Sequence, residues 1–162
     1  DTDLLLVQST SADISVTAAD AANATTLTAA GGIGVDGGST DIGTATAGTS
    51  LAMLARSGQL MLGTGNAGTT ASLTKQGATG TLQATTLTSG DDTTITSSTD
   101  SSLGTVTSTG ANIEIDTVGL TDAATLDAAA AKDVDSASAT FDTANAGDPA
   151  GDSYRAGHRA HR

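Results

Sequence analysis

Aliphatic residues recur along this chain in short alternating runs, each closed by Gly, Asp, Asn or Ser. Ile14-Ser15-Val16, Ile33-Gly34-Val35, Leu60-Met61-Leu62, Leu82-Gln83-Ala84 and Ile113-Glu114-Ile115-Asp116 are of this kind. A strand turns successive side chains to opposite faces, so Ile113 and Ile115 are predicted inward and Glu114 and Asp116 toward water. Runs this short do not make a stable two-layer sheet by themselves.

They do repeat. Four stretches are versions of one phrase: Ile42 to Gly48, Leu62 to Gly68, Leu82 to Gly90, and Leu103 to Gly110. The leading residues Ile42, Leu62, Leu82 and Leu103 are spaced by 20, 20 and 21 residues. A second series, Leu27, Leu51, Leu73 and Ile95, interleaves at intervals of 24, 22 and 22. A period of this size is the mark of a stacked repeat. Two strands and their turns per period fit one coil of a parallel β-solenoid, in which each strand pairs with its copies above and below at about 4.8 Å.

The predicted fold is therefore all-β, a β-solenoid of roughly 20-residue coils. Its predicted core holds Ile42, Leu62, Leu82, Leu103, Leu51, Leu73, Ile95 and Ile113. Gly48, Gly68, Gly90 and Gly110 are predicted at coil corners, where positive φ favours glycine. Stacked threonines are expected to hydrogen-bond along the ladder. The solenoid is assigned to residues 1–141, most regular over 13–118, with 142–162 an irregular linker or tail. The alanine-rich stretch Thr121 to Lys132 admits a short capping helix starting at Thr121. It also admits a further degenerate coil, since Leu126 and Val134 keep the spacing loosely, and the coil is preferred.

Composition sharpens this reading. The chain has 162 residues, with no Trp or Cys, one Tyr, one Phe and one Pro. A core of this size normally uses aromatic side chains to fill volume. Their scarcity leaves a disordered chain or a thin core of small aliphatic residues. High negative charge favours disorder, whereas regularly placed Ile, Leu and Val with abundant Thr favour strands. The absence of cysteine excludes a disulfide framework, a thiol nucleophile and Cys-based metal sites. No stretch approaches the roughly 20 apolar residues of a membrane helix. The chain runs directly from Asp1 into Leu4-Leu5-Leu6-Val7 without a leader-like segment, which reads as an internal or mature piece of something longer.

The formal net charge is −12. Nucleic acid and anionic membranes are disfavoured as partners, because both need basic patches. The cations cluster late, with Arg155, Arg159 and Arg162 in the basic tail.

Candidate chemistry is sparse, and no cofactor or metal is expected. Gly31 to Ser39 matches the start of a calcium-binding nonapeptide, but in one copy and with Gly38 where a large apolar residue belongs. Asp91-Asp92 reads as a solvated turn more readily than as a cation site. Asn23-Ala24-Thr25 is a glycosylation sequon of a sort that a Thr-rich chain contains by chance. His158 and His161 have no third ligand near them in sequence. No Ser lies in a G-x-S-x-G elbow, and no phosphate loop is present. No catalytic set is visible, and the chain is not expected to be an enzyme.

Thr-x-Thr pairs suggest an outward ladder of Thr44, Thr46, Thr64, Thr86, Thr105 and Thr107. A flat Thr-x-Thr array on a β-solenoid resembles the ice-binding face of some antifreeze proteins. In sequence the ladder is broken, its other rungs reading Thr64/Asn66 and Ala84/Thr86 with inward partners Ala45, Gly65, Thr85 and Val106. Ice or carbohydrate binding through this ladder is the alternative function.

Asp41 to Leu51 and Ser102 to Ile115 resemble the degenerate repeats of filamentous haemagglutinin-type large exoproteins, bacterial two-partner-secreted adhesins and related toxin stalks. The resemblance spans roughly residues 13–140 and is one of texture and period. It implies a right-handed parallel β-helix, export to the bacterial cell surface, and a role in adhesion or as a rigid stalk. Partners would be a host or neighbouring-cell surface, or extracellular matrix or carbohydrate. Open solenoid ends also invite end-to-end self-association.

Overall fold

The computed structural model describes residues 1–156. Long and short strands alternate from the N-terminus: β1 (Thr2–Ser9), β2 (Ile14–Thr17), β3 (Ala21–Ala29), β4 (Ile33–Gly37), β5 (Ser39–Ala47), β6 (Leu51–Ala55), β7 (Leu60–Ala67), β8 (Ala71–Lys75), β9 (Leu82–Ser89), β10 (Thr93–Ser97) and β11 (Ser101–Ser108). In β12 (Ile113–Ala128) and β13 (Lys132–Ala146) the short and long strands run together without a break. A 3-10 turn (Pro149–Gly151) and β14 (Ser153–Ala156) follow. All pairings are parallel, in the order β1-β3-β5-β7-β9-β11-β12 on one path and β12-β10-β8-β6-β4-β2 on the other. The chain is a β-solenoid of about eight turns, as the period predicts.

Each long strand is bent. In β5, Thr40 and Ile42 point inward, Gly43 and Thr44 both point away from the core, and Ala45 and Ala47 point inward again. The ladder skips the bend: Ile42 pairs with Leu62 and Thr44 with Thr64, with no pairing at Gly43. Each coil therefore presents three faces, formed by the first half of the long strand, its second half, and the short strand.

All eight predicted core residues are buried. Their stacking differs from the sequence alignment in two places. Ile42 lies on Leu62, but Leu62 lies on Ala84, and Ala84 on Leu103. Leu82 instead stacks between Leu60 and Ser101. In the second series Leu73 lies on Ile95, whereas Leu51 lies on Ala71 and Leu27 belongs to a different strand, on Ala45. The cause is the Gln76–Thr81 corner, which lengthens one coil. A two-residue offset keeps a side chain inward, so the sequence alignment placed these residues in the core but not in the right column.

The predicted corner glycines are required for a different reason than expected. Among the described residues only Gly77 and Gly80 have positive φ, both in that long corner. At Gly48, Gly68, Gly90 and Gly110 an added Cβ would run into the carbonyl oxygen of the coil beneath: Ala30, Gly48, Gly68 and Gly90 respectively. These corners stack on one another too closely for a side chain.

Where the strand ladder stops at corners, polar side chains continue the axial bonding. Asp13 Oδ1 accepts from Gly32 N, Asp92 Oδ1 from Asn112 N, Asn112 Oδ1 from Ala131 N, and Asp100 Oδ1 from Leu120 N, at 2.6–3.1 Å. Arg56 spans three coils, donating to Ala18 O at 2.8 Å and pairing with Asp36 at 3.1 Å. Much of the scarce polar and positive side-chain chemistry is thus spent holding corners together.

Polar residues also enter the core. Ser89 Oγ donates to Asp91 O and lies 2.7 Å from Thr93 Oγ1. Two lysines are fully buried. Lys75 Nζ curls to the long corner and donates to Gln76 O and Gly77 O. Lys132 Nζ lies 3.3 Å from Asp152 Oδ2, whose other oxygen accepts from Lys132 N.

The alanine-rich stretch is strand, the second half of β12, and not a capping helix. The solenoid also extends past residue 141 into what reads as irregular tail, through Ala146 and again at β14, which pairs with β13. Propensity favours helix in an alanine run, but Leu126 and Ala128 are buried under this stack and tertiary packing prevails. The chain's two described aromatics meet here: the Phe141 and Tyr154 rings are 5.6 Å apart. Burial and the neighbouring Asp152 carboxylate raise the Tyr154 pKa.

Two outcomes test this account. Gly68→Ala is expected to cost about 1–3 kcal/mol in urea unfolding, because the coil beneath must shift. Burial lowers the Lys75 pKa below 10.5, so between that lowered value and 10.5 the unfolded chain binds more protons than the folded one. This group therefore makes stability rise with pH across that window, and Lys75→Met should flatten the rise.

Candidate functional site

The second half of each long strand presents two outward positions to solvent, separated by one inward residue. Register pairing aligns the first positions into a single column: Thr26, Thr44, Thr64, Thr86, Thr105, Thr125 and Thr143. The second column reads Thr28, Thr46, Asn66, Thr88, Thr107, Asp127 and Asn145. Between them Leu27, Ala45, Gly65, Leu87, Val106 and Leu126 point into the core and are buried.

All six expected ladder residues fall on this face, but one rung changes. The sequence alignment pairs Ala84 with Thr86; in the structure Ala84 is buried, and the rung is Thr86/Thr88 with Leu87 inward. The same two-residue slip that misplaced Leu82 broke the ladder on paper. Thr26, Thr28, Thr88, Thr125 and Thr143 were missed. The available signal was the recurrence of Thr-x-Thr at Thr26/Thr28 and Thr86/Thr88, one inward residue apart.

From β3 to β11 the two columns hold ten positions, of which nine are Thr and one is Asn66. No charged side chain lies among them, although the chain carries 18 acids. The acids occupy the other faces: Asp3, Asp41 and Asp122 on the first half of the long strands, Asp36, Glu114, Asp116, Asp133 and Asp135 on the short-strand face. The threonine face is a neutral strip on an acidic rod.

Its hydroxyls are unengaged. Elsewhere threonine hydroxyls bond within the protein: Thr40 to Leu54 O, Thr79 to Ser57 O, Thr99 to Gly80 O and Thr109 to Ser89 O. Among the described residues no hydroxyl of the two outward columns makes such a bond, in contrast to the expected bonding along the ladder. Coil spacing explains this: neighbouring rungs stand about 4.8 Å apart, too far for direct hydroxyl contact.

The remaining sequence candidates are accounted for by structure. Asp36 of the nonapeptide-like stretch pairs with Arg56, and Ile33 and Val35 beside it are buried core. Asp92 caps the next corner through Asn112, and Asp91 O accepts from Ser89 and Ser108. Asn23 of the sequon donates to Asp3 Oδ1 at 2.6 Å. His158, His161, Arg159 and Arg162 lie outside the described residues. Among the described residues no three His, Cys, Asp or Glu side chains converge to hold a metal ion.

In comparisons with known proteins, no family model, curated protein or solved structure matches the chain.

The face is separable from stability. Thr86→Tyr, outward and a good strand former, is expected to shift the unfolding free energy by less than about 0.5 kcal/mol. Leu87→Ala, one residue away and inward, is expected to cost about 2–5 kcal/mol. Paired denaturant titrations of the two variants check this division.

Proposed function

We propose that this chain is a segment of a rigid, surface-exposed rod in a secreted bacterial adhesin or fibre of the filamentous haemagglutinin type. The observation that carries the reading is axial continuity. Both strand ladders run through the stack as one 14-stranded parallel sheet, and the Asp and Asn side chains bridge corners between them. Each coil contacts its neighbours, so stiffness propagates along the stack and the faces remain free to vary. The texture of the repeats at Asp41 to Leu51 and Ser102 to Ile115 supports the same assignment.

In this reading the mechanism is mechanical and multivalent. Outward side chains and corner loops make individually weak contacts with a host or neighbouring-cell surface, matrix or carbohydrate, and many coils add avidity. The N-terminal coil supports end-to-end association, because β1 leaves one strand edge unpaired and exposes Leu5 and Leu6. The reading calls for no catalysis, cofactor, nucleic acid or membrane insertion.

Beads coated with the chain at rising density, passed over matrix-coated, glycan-coated and cell-covered surfaces, test this. Retention is expected to climb steeply with density on at least one surface. Densely coated beads that adhere no better than bare ones would contradict adhesion.

A further inference from the structure

The neutral threonine face has a geometry that suits a ligand which is itself a lattice. We infer that this face binds ice through ordered water held between its two threonine columns.

Three independent features lead there. The first is spacing in two directions. Along the rod, equivalent threonines repeat at the coil spacing of about 4.8 Å; across it, the two positions of each rung are two strand residues apart, about 6.7 Å. Both are close to repeat distances of oxygen atoms on exposed planes of hexagonal ice. The register of this face runs one for one from Thr26 to Thr125, and the single register shift of the sheet lies elsewhere, between Thr117 and Leu120.

The second is the state of the hydroxyls. Corner threonines such as Thr79, Thr99 and Thr109 bond within the protein, while the face threonines do not. Each face hydroxyl retains one donor and two acceptor sites for water. The β-branched side chain is stiff at χ1, so repeated rungs in one backbone register hold methyl and hydroxyl groups in repeated orientations. Little side-chain freedom is then lost on meeting a solid surface.

The third is charge segregation. An array built for an ionic or nucleic-acid partner would carry charge, and the ten central positions carry none. A carbohydrate platform would use aromatic rings, and Phe141 and Tyr154 lie in the terminal coils and outside the two columns. Water as a crystal needs neither. Asn66 is a polar substitute within the array, and Asp127 and Asn145 mark its fading toward the C-terminal end.

This inference uses the solenoid and its register but not the adhesin reading, and either can fail alone. The test is thermal hysteresis and incorporation into a growing ice hemisphere, measured on the whole chain. Wild type is expected to be active, and Thr86→Tyr, which raises a bulky ring from the middle of the plane, to lose that activity. Thr64→Lys is the second variant, placing a charge one coil away. Thr94→Lys on the short-strand face is the control and is expected to remain active. Circular dichroism of each variant confirms folding. Inactive wild type, undiminished Thr86→Tyr and Thr64→Lys, or equal loss in Thr94→Lys would each overturn the inference. Binding to crystalline cellulose or chitin that Thr86→Tyr abolishes, with no effect on ice, would overturn it in favour of a polysaccharide.

Discussion

Everything in this molecule follows from the axial hydrogen-bond ladder. A four- or five-residue strand has too little pairing and too little buried surface to persist alone. When each strand is bonded to a copy on both sides, its backbone groups are satisfied and its inward side chain meets identical neighbours. That lets a chain almost without aromatics build a core: Leu27, Ile42, Leu73, Ile95 and Leu126 fill a narrow interior that small aliphatic residues span. The same ladder sets the demand on corners. Coils about 4.8 Å apart leave no room for side chains at Gly48, Gly68 and Gly90, because the carbonyl of the coil beneath occupies the space.

The ladder also explains how charge is distributed. A stack repeats every outward position at short distance, so like charges in one column repel. The solenoid accommodates 18 acids by scattering them over two faces and by using several as corner bonds, among them Asp13, Asp92, Asp100 and Asp152. Buried Lys132 is matched by Asp152, and buried Lys75 by two corner carbonyls. What remains is one neutral face, and its neutrality is as informative as its threonines.

Rod and face place different demands on sequence. The rod needs inward aliphatics and tight corners, and it tolerates coils of unequal length: Ala24 to Ile42 spans 18 residues, Leu62 to Ala84 spans 22. A lattice-matched face needs strict register at the outward positions. The structure reconciles the two by placing length changes in corners such as Gln76–Thr81, away from the threonine columns. Loop insertions at a corner add modest closure entropy, whereas an insertion within a strand would turn every following side chain to the wrong side.

The sequence by itself determined that this chain stacks, with a period near 20 residues, and which residues lie inside. Ile42, Leu82, Leu103 and Ile113 could be assigned to the core from alternation alone, because inward and outward positions differ in polarity. Alternation could not say which coil position lies on which. A slip of two residues preserves the polar–apolar pattern, so Leu82 read as the partner of Leu62, and the threonine ladder read as broken at Ala84. Nor could it separate helix from strand at Thr121 to Lys132, where alanine suits either and only the stack beneath selects strand. Columns are properties of neighbouring coils, set by hydrogen bonds between residues about 20 apart and by the lengths of the corners. Only the tertiary structure decided those, and the continuous neutral threonine face exists only once they are decided.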